Sequence, residues 1–152
     1  MGWKTKLLMA SLPLALGYVP ITHGHEFATG IVAERMEVMK TMGRELKALA
    51  EMLTSSSRID AVLASKHAEA FHKSCHQLGS LFPSGVDHHS RARPEIWQKP
   101  DAFAAELHRL HQASAGLLQA VATGDKGVVR ASIGEVQETC NSCHEKFRVP
   151  DS

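Results

Sequence analysis

The chain of 152 residues is long enough for one domain and too short for two separate cores. Its 17 Lys and Arg nearly balance 16 Asp and Glu, which excludes the basic field that binding to nucleic acid requires. Three cysteines are an odd count and exclude a framework built of disulfides alone, while 5% aromatic content beside abundant Ala, Leu, Met, Glu and Lys points to helices.

Residues 1–24 have the layout of a secretory signal peptide. Lys4 and Lys6 form the positive start, and the run from Leu7 to Leu16 is the apolar core. That run is too short to span a membrane and no stop-transfer pattern follows it, so stable membrane insertion is not expected. Cleavage is expected after Gly24, with Gly17 as the alternative. Without the two leader lysines the charge balance of 17 against 16 becomes 15 against 16 over residues 25–152.

The first amphipathic helix is predicted from about Phe27 to Leu53, with Ile31, Arg35, Val38, Met42, Leu46, Leu49 and Leu53 stepping by three or four. Thr54 to Ser57 break it and offer caps for the next segment. A second helix follows from about Arg58 to Leu81, with Ile59, Leu63, Ala70, Phe71, Cys75, Leu78 and Leu81 as its apolar stripe. The stretch from Phe82 to Pro100 is polar and turn-rich, and makes the one long connection. Trp97 offers large apolar area and one donor, suited to pinning that connection to the body.

Asp101 is expected to cap a third helix over about Ala102 to Ala122, carrying Phe103, Leu107, Leu110, Ser114, Leu117 and Val121 in a/d register. Thr123-Gly124-Asp125 is a short turn, so a fourth helix should return antiparallel beside the third. Its seam is Val129, Ile133, Val136, Cys140, His144 and Phe147. The fold class is therefore all-α, an antiparallel four-helix bundle with one crossover connection.

Cys140-Asn141-Ser142-Cys143-His144 is a CxxCH, the signature of covalent c-type haem attachment. Residues three and four apart share a helix face. Two thiols can thus form thioethers to the haem vinyl groups while His144 reaches the iron as proximal ligand. One covalent haem c near one end of the bundle is the cofactor expected. A bare CxxC also serves redox and zinc sites, and a thiol or zinc protein using Cys140, Cys143 and Cys75 is the competing reading. Export favours haem, because attachment takes place outside the cytoplasm; the periplasm is the expected location.

Three stretches together resemble the cytochrome c′ family (class II c-type cytochromes). They are Arg35 to Gly43, Ala92 to Trp97 and Cys140 to Arg148. The resemblance spans nearly all of residues 25–152 and implies a left-handed four-helix bundle acting in electron transfer or gas binding. It also implies roles by position. Cys140 and Cys143 match the thioether cysteines, His144 the proximal ligand, Arg148 a basic residue near the proximal face, and Arg35 an arginine that contacts a haem propionate. Met39 matches the side chain facing the distal side of the iron. If its sulfur binds, the iron is six-coordinate and low-spin; if it turns away, the iron is five-coordinate and open to a diatomic. The run around Met39, with Leu81 to Val86, looks more like the low-spin members. The expected function is thus a one-electron carrier with unidentified redox partner proteins, the alternative being a haem protein that binds NO or CO. Enzymatic turnover is not expected, since no acid–base pair can be assigned to the iron. A homodimer is a family expectation only.

Some features lie outside that pattern. His72-Lys73-Ser74-Cys75-His76 resembles a CxxCH that has lost its first cysteine, so Cys75 is either a buried helix thiol, a single-thioether haem anchor or an intermolecular disulfide partner. The chain has 10 histidines. His67, His72 and His76 step along the second helix, His108 and His111 lie a turn apart on the third, and His88 and His89 are neighbours in the connection. Helical pairs of this kind can bind zinc or copper, although solvent-facing histidines without a metal are commoner. One of them supplying the sixth haem ligand ranks below Met39.

Overall fold

The computed structural model describes residues 28–54, 58–85 and 90–150. The leader expected over residues 1–24, its cleavage points, Ser55 to Ser57, His88 and His89 lie outside that range. Four long helices carry the described chain: α1 (Gly30–Met52), α2 (Ala61–Leu78), α4 (Pro100–Thr123) and α5 (Lys126–Phe147). A single 3-10 turn, Gly79–Leu81, prolongs α2, and one short helix, α3 (Glu95–Gln98), interrupts the long connection. The four-helix expectation holds.

Several boundaries differ from expectation for local reasons. α2 begins at Ala61 because Asp60, not the Thr54–Ser57 break, caps it: Asp60 Oδ1 accepts from the backbone of Val62 and Leu63, both at 3.0 Å. Ile59 before the cap and Ala64 in the first turn both join the core, the pattern of a hydrophobic staple. α4 starts one residue before its expected cap. Pro100 takes the first helical position, where its missing N–H costs nothing, and Asp101 sits in the first turn beside the positive helix end. At the other end Gly124 adopts a left-handed conformation (φ 67°), and Asp125 caps α5 by accepting from Gly127 at 2.7 Å and Val128 at 3.0 Å.

Leu49, Phe71, Leu78, Leu117, Val121, Val129 and Val136 are fully buried at the bundle centre. Of the stripe expected for the second helix, Ile59, Phe71, Cys75, Leu78 and Leu81 are buried, while Leu63 is exposed and Ala70 half-buried, and Ala64 and Ala68 take their place. Ala64 and Ala68 are wholly buried in the core. α1 packs on α2, α2 on α4 and α4 on α5. Phe82, just past α2, meets Phe103 in the first turns of α4 edge-on at 4.8 Å, so these two helices are also antiparallel.

α1 and α5 meet only sparsely. The connection closes that end of the bundle instead. Trp97 Nε1 donates to the carbonyls of Phe82 and Pro83 at 3.2 and 3.1 Å, as its expected anchoring role requires. Ala92 pairs with Arg148 in an isolated antiparallel bridge, with Arg93 N donating to Phe147 O at 2.9 Å and Val149 N to Arg91 O at 2.8 Å. The strap is therefore tied to the exit of α5, beside an opening between α1 and α5.

Candidate functional site

That opening is a cavity of about 370 Å3. From α1 it is lined by Val32, Arg35, Met36, Met39 and Lys40, and from the end of α5 by Cys143, His144, Phe147 and Arg148. Phe82, Phe103 and Ile96 form its floor and Arg91 part of its rim. Helical spacing puts Arg35, Met36 and Met39 on one wall and His144 with Arg148 on another. Of the residues expected from sequence, Arg35, Met39, Cys143, His144 and Arg148 come together here. Cys140 does not line the cavity; it is half-buried one turn back on α5, packed against the main core.

Arg35 is buried, not on a solvated face. Its Nε donates to Leu81 O at 2.8 Å, its Nη1 to Ser90 Oγ at 3.0 Å, and the guanidinium lies 4.1 Å over the Phe82 ring. With Lys40, Arg91 and Arg148 it gives the lining four basic side chains and no carboxylate. The rest of the wall is mostly apolar. An apolar slot with cations around it suits a flat hydrophobic ring that carries carboxylates, so the donor set fits a haem with its propionates.

Burial, followed by the charges of Arg148 and Arg91, holds the His144 imidazole below its ordinary pKa. The ring is thereby kept neutral near pH 7, which is the ligand form. Burial also pushes the Cys140 thiol up, and the Cys143 thiol to about 11. The direction is the reverse of the lowered values in thiol–disulfide enzymes. Among the described residues, the one group of three His, Cys, Asp or Glu side chains close enough to share a metal contains neither cysteine. The raised thiols and the cation-rimmed apolar lining match the haem expectation more closely than the thiol or zinc one. Cys75 sits in the core, its thiol pushed by burial to about 11. A second haem on Cys75 would need that buried position to open.

Three residues escaped the sequence reading. Met36 shares the α1 wall with Met39, and its only signal was its place between Val32 and Met39 at spacings of four and three. Arg91 precedes the Ala92–Trp97 stretch; its Nη2 donates to Val149 O at 2.6 Å. Glu106 is the third. The expected α4 stripe ran through Leu107, but Leu107 is half-buried while Glu106 is buried. Glu106 Oε1 accepts from Lys146 Nζ at 2.6 Å and pairs with Arg109, so it clamps the end of α5 to α4 beside Cys143. Burial raises this carboxyl, but Lys146 and Arg109 outweigh it, and the net pKa lies below the ordinary range.

Comparison with known proteins gives a consistent picture. Residues 30–148 match the family model described as Cytochrome C'. The chain is 31% identical over 142 residues to the cytochrome c' of Rhodopseudomonas palustris, covering 90% of this chain and 94% of that one. It is 31% identical over 126 residues to the cytochrome c-554 of Cereibacter sphaeroides, covering 80% and 82%. Its fold superposes with a TM-score of 0.74 on a nitric oxide complex of a cytochrome c prime variant from Alcaligenes xylosoxidans, at 22% identity and covering 79% of this chain and 94% of that one.

Proposed function

The chain belongs to the cytochrome c′ family, whose proteins bind a covalently attached haem c, and from that premise we propose that it is a periplasmic one-electron carrier. The observation that carries this reading is the pairing of a neutral imidazole, His144, with the thioether side chains Met39 and Met36 on walls of one apolar, cation-rimmed cavity. When bound, the haem iron supplies the one-electron chemistry. The residues of the chain hold and tune it. Cys143 and His144, which line the cavity, and Cys140 one turn back would hold the group, the cysteines as thioether anchors and His144 as a ligand to its iron. Arg35, already fixed by Leu81 and Ser90, holds a propionate, with Arg91 and Arg148 on the same rim. Met39 would supply a sulfur ligand, and a Met/His pair raises the potential into a range suited to electron transfer. Lining by Val32, Phe82 and Phe103 excludes water, which limits reorganisation around the iron.

A second reading, binding of NO or CO, is favoured by the apolar character of the α1 wall if Met39 turns from the iron. The nitric oxide complex solved for the similar Alcaligenes protein supports keeping it. Visible and EPR spectra of the periplasmically matured protein decide between them. Sharp reduced bands, low-spin ferric signals and no change with CO are expected of the wild type. Met39→Ala should then become high-spin and CO-reactive. A wild type that is already high-spin and shifts with CO overturns the carrier reading in favour of gas binding; a Met39→Ala variant that stays low-spin removes Met39 from its role and turns attention to Met36.

A further inference from the structure

Outside the cavity, on the seam between α2 and α4, three imidazoles converge. His76 lies one turn after His72 on α2, and His111 faces them from α4. His76 Nε2 is 3.2 Å from His72 Nε2 and 2.9 Å from His111 Nε2, and one ligand atom from each of the three rings lies within 4.8 Å of the others. The His72 and His111 rings stack at 4.9 Å between centroids, and His76 meets both edge-on.

A buried hydroxyl anchors one ring of this cluster. Ser114, wholly buried, has its Oγ 2.7 Å from both the His111 carbonyl and His72 Nδ1. With Nδ1 held there, His72 Nε2 is the nitrogen that faces the other rings. Both short nitrogen–nitrogen contacts meet at His76 Nε2, which in a neutral ring carries either one proton or one lone pair and so forms one in-line hydrogen bond at a time. A cation shared by lone pairs of the three rings relieves that conflict. The 3.2 Å contact matches the separation of roughly 3.3 Å expected for imidazole nitrogens about 2.0–2.1 Å from one tetrahedral metal, and the 2.9 Å contact would open slightly around an ion. A ligating histidine whose other ring nitrogen is held by a hydrogen bond is also the usual arrangement of a metal site.

We propose that His72, His76 and His111 form a second metal site, which takes one divalent cation of the zinc or copper class through three Nε2 atoms and leaves a further coordination position open to solvent. Imidazole is a borderline ligand, which favours these ions over magnesium or calcium. His76 is exposed and the other two rings are partly so, giving the ion a path in. Burial and the two neighbouring rings hold His72 below its ordinary pKa, so it competes weakly for protons. His67 is engaged elsewhere, 2.7 Å from Glu45, and His108 stands outside the trio. The site would cross-link α2 to α4 without using any residue of the haem cavity.

The test uses the haem-loaded protein, stripped with a chelator and dialysed separately against Zn2+ and Cu2+, with bound metal counted per haem iron. One additional metal per chain is expected. His76→Gln and His111→Gln should each weaken binding at least tenfold, and His108→Gln should not. Because a substitution can disturb the seam, the wild type is also melted with and without Zn2+, and its melting temperature should rise with the ion. Absence of stoichiometric zinc or copper in the wild type, or equal binding by the His76 and His111 variants, overturns the proposal. So does a melting temperature indifferent to the metal.

Discussion

Glu106 shows how one side chain can hold a site it does not line. Its carboxylate is almost fully buried (3% exposed), whereas Lys146 and Arg109 are about half exposed. The interaction is therefore partly screened and contributes on the order of 1 kcal/mol. Its pKa is lower in the folded than in the unfolded chain, so the unfolded chain takes up the proton first as pH falls. The stabilisation is fully present above the unfolded value, about pH 4.3, and is lost as pH falls through the folded one. Glu106→Gln should destabilise the protein near pH 7, and the difference from wild type should shrink on acidification below about pH 4. Denaturant melts across that range measure it; a difference independent of pH would show that packing, not charge, is what Glu106 supplies. At this scale the sequence revealed the CxxCH by type and spacing, and Arg35 through the resemblance of its stretch to the cytochrome c′ family. It hid Glu106, because a charged residue in the register of an apolar stripe becomes visible only when two cations arrive from elsewhere in the fold.

Among the elements, the α4–α5 turn has the most direct local cause. Gly124 sits at φ 67° with open space where a Cβ would be, so a side chain there meets backbone strain and not a clash. Gly124→Ala should cost about 1–2 kcal/mol, and Gly124→Asn less, since Asn tolerates the left-handed region. Chemical denaturation of the two variants checks the order; equal losses would point to the side chain's surroundings instead. Both long-helix starts that follow a turn, α2 and α5, use an aspartate cap. The cap of α2 was misassigned from sequence because Thr54 to Ser57 and Asp60 all have the right chemistry. α3 was not expected at all: a single turn has no periodicity to detect, and it forms because Ile96 is buried beneath the strap and Trp97 bonds back to Phe82 and Pro83.

For the molecule as a whole, the bundle centre sets stability and the α1–α5 gap sets function. Leu117 is fully buried among the core residues of the bundle. Leu117→Ala removes that packing and leaves a cavity, at a cost of about 2–5 kcal/mol. A thermal melt should show a single cooperative transition moved well down in temperature; a shift of only a degree or two would mean that the helices close over the space. The cavity between α1 and α5 has the opposite logic. Among the described residues α1–α2, α2–α4 and α4–α5 pack closely, and the cavity lies where α1 and α5 meet only sparsely.

The sequence by itself determined the number of long helices, the short antiparallel return after Gly124, the CxxCH on the last helix and the positions of Arg35 and Met39 on the first. The helices, the turn and the CxxCH face follow from spacing along the chain, which helical geometry converts directly into a face, whereas Arg35 and Met39 were marked by the resemblance of the Arg35–Gly43 stretch to the cytochrome c′ family. Only the tertiary structure decided which cations gather at one cavity, that Arg35 is buried against Leu81, Ser90 and Phe82, and that Met36 joins Met39 on the same wall. It also brought His111 onto the pair His72 and His76. Those arrangements depend on the rotation and offset of one helix against another, which are set by packing across the whole core and leave no mark at fixed spacing in the sequence.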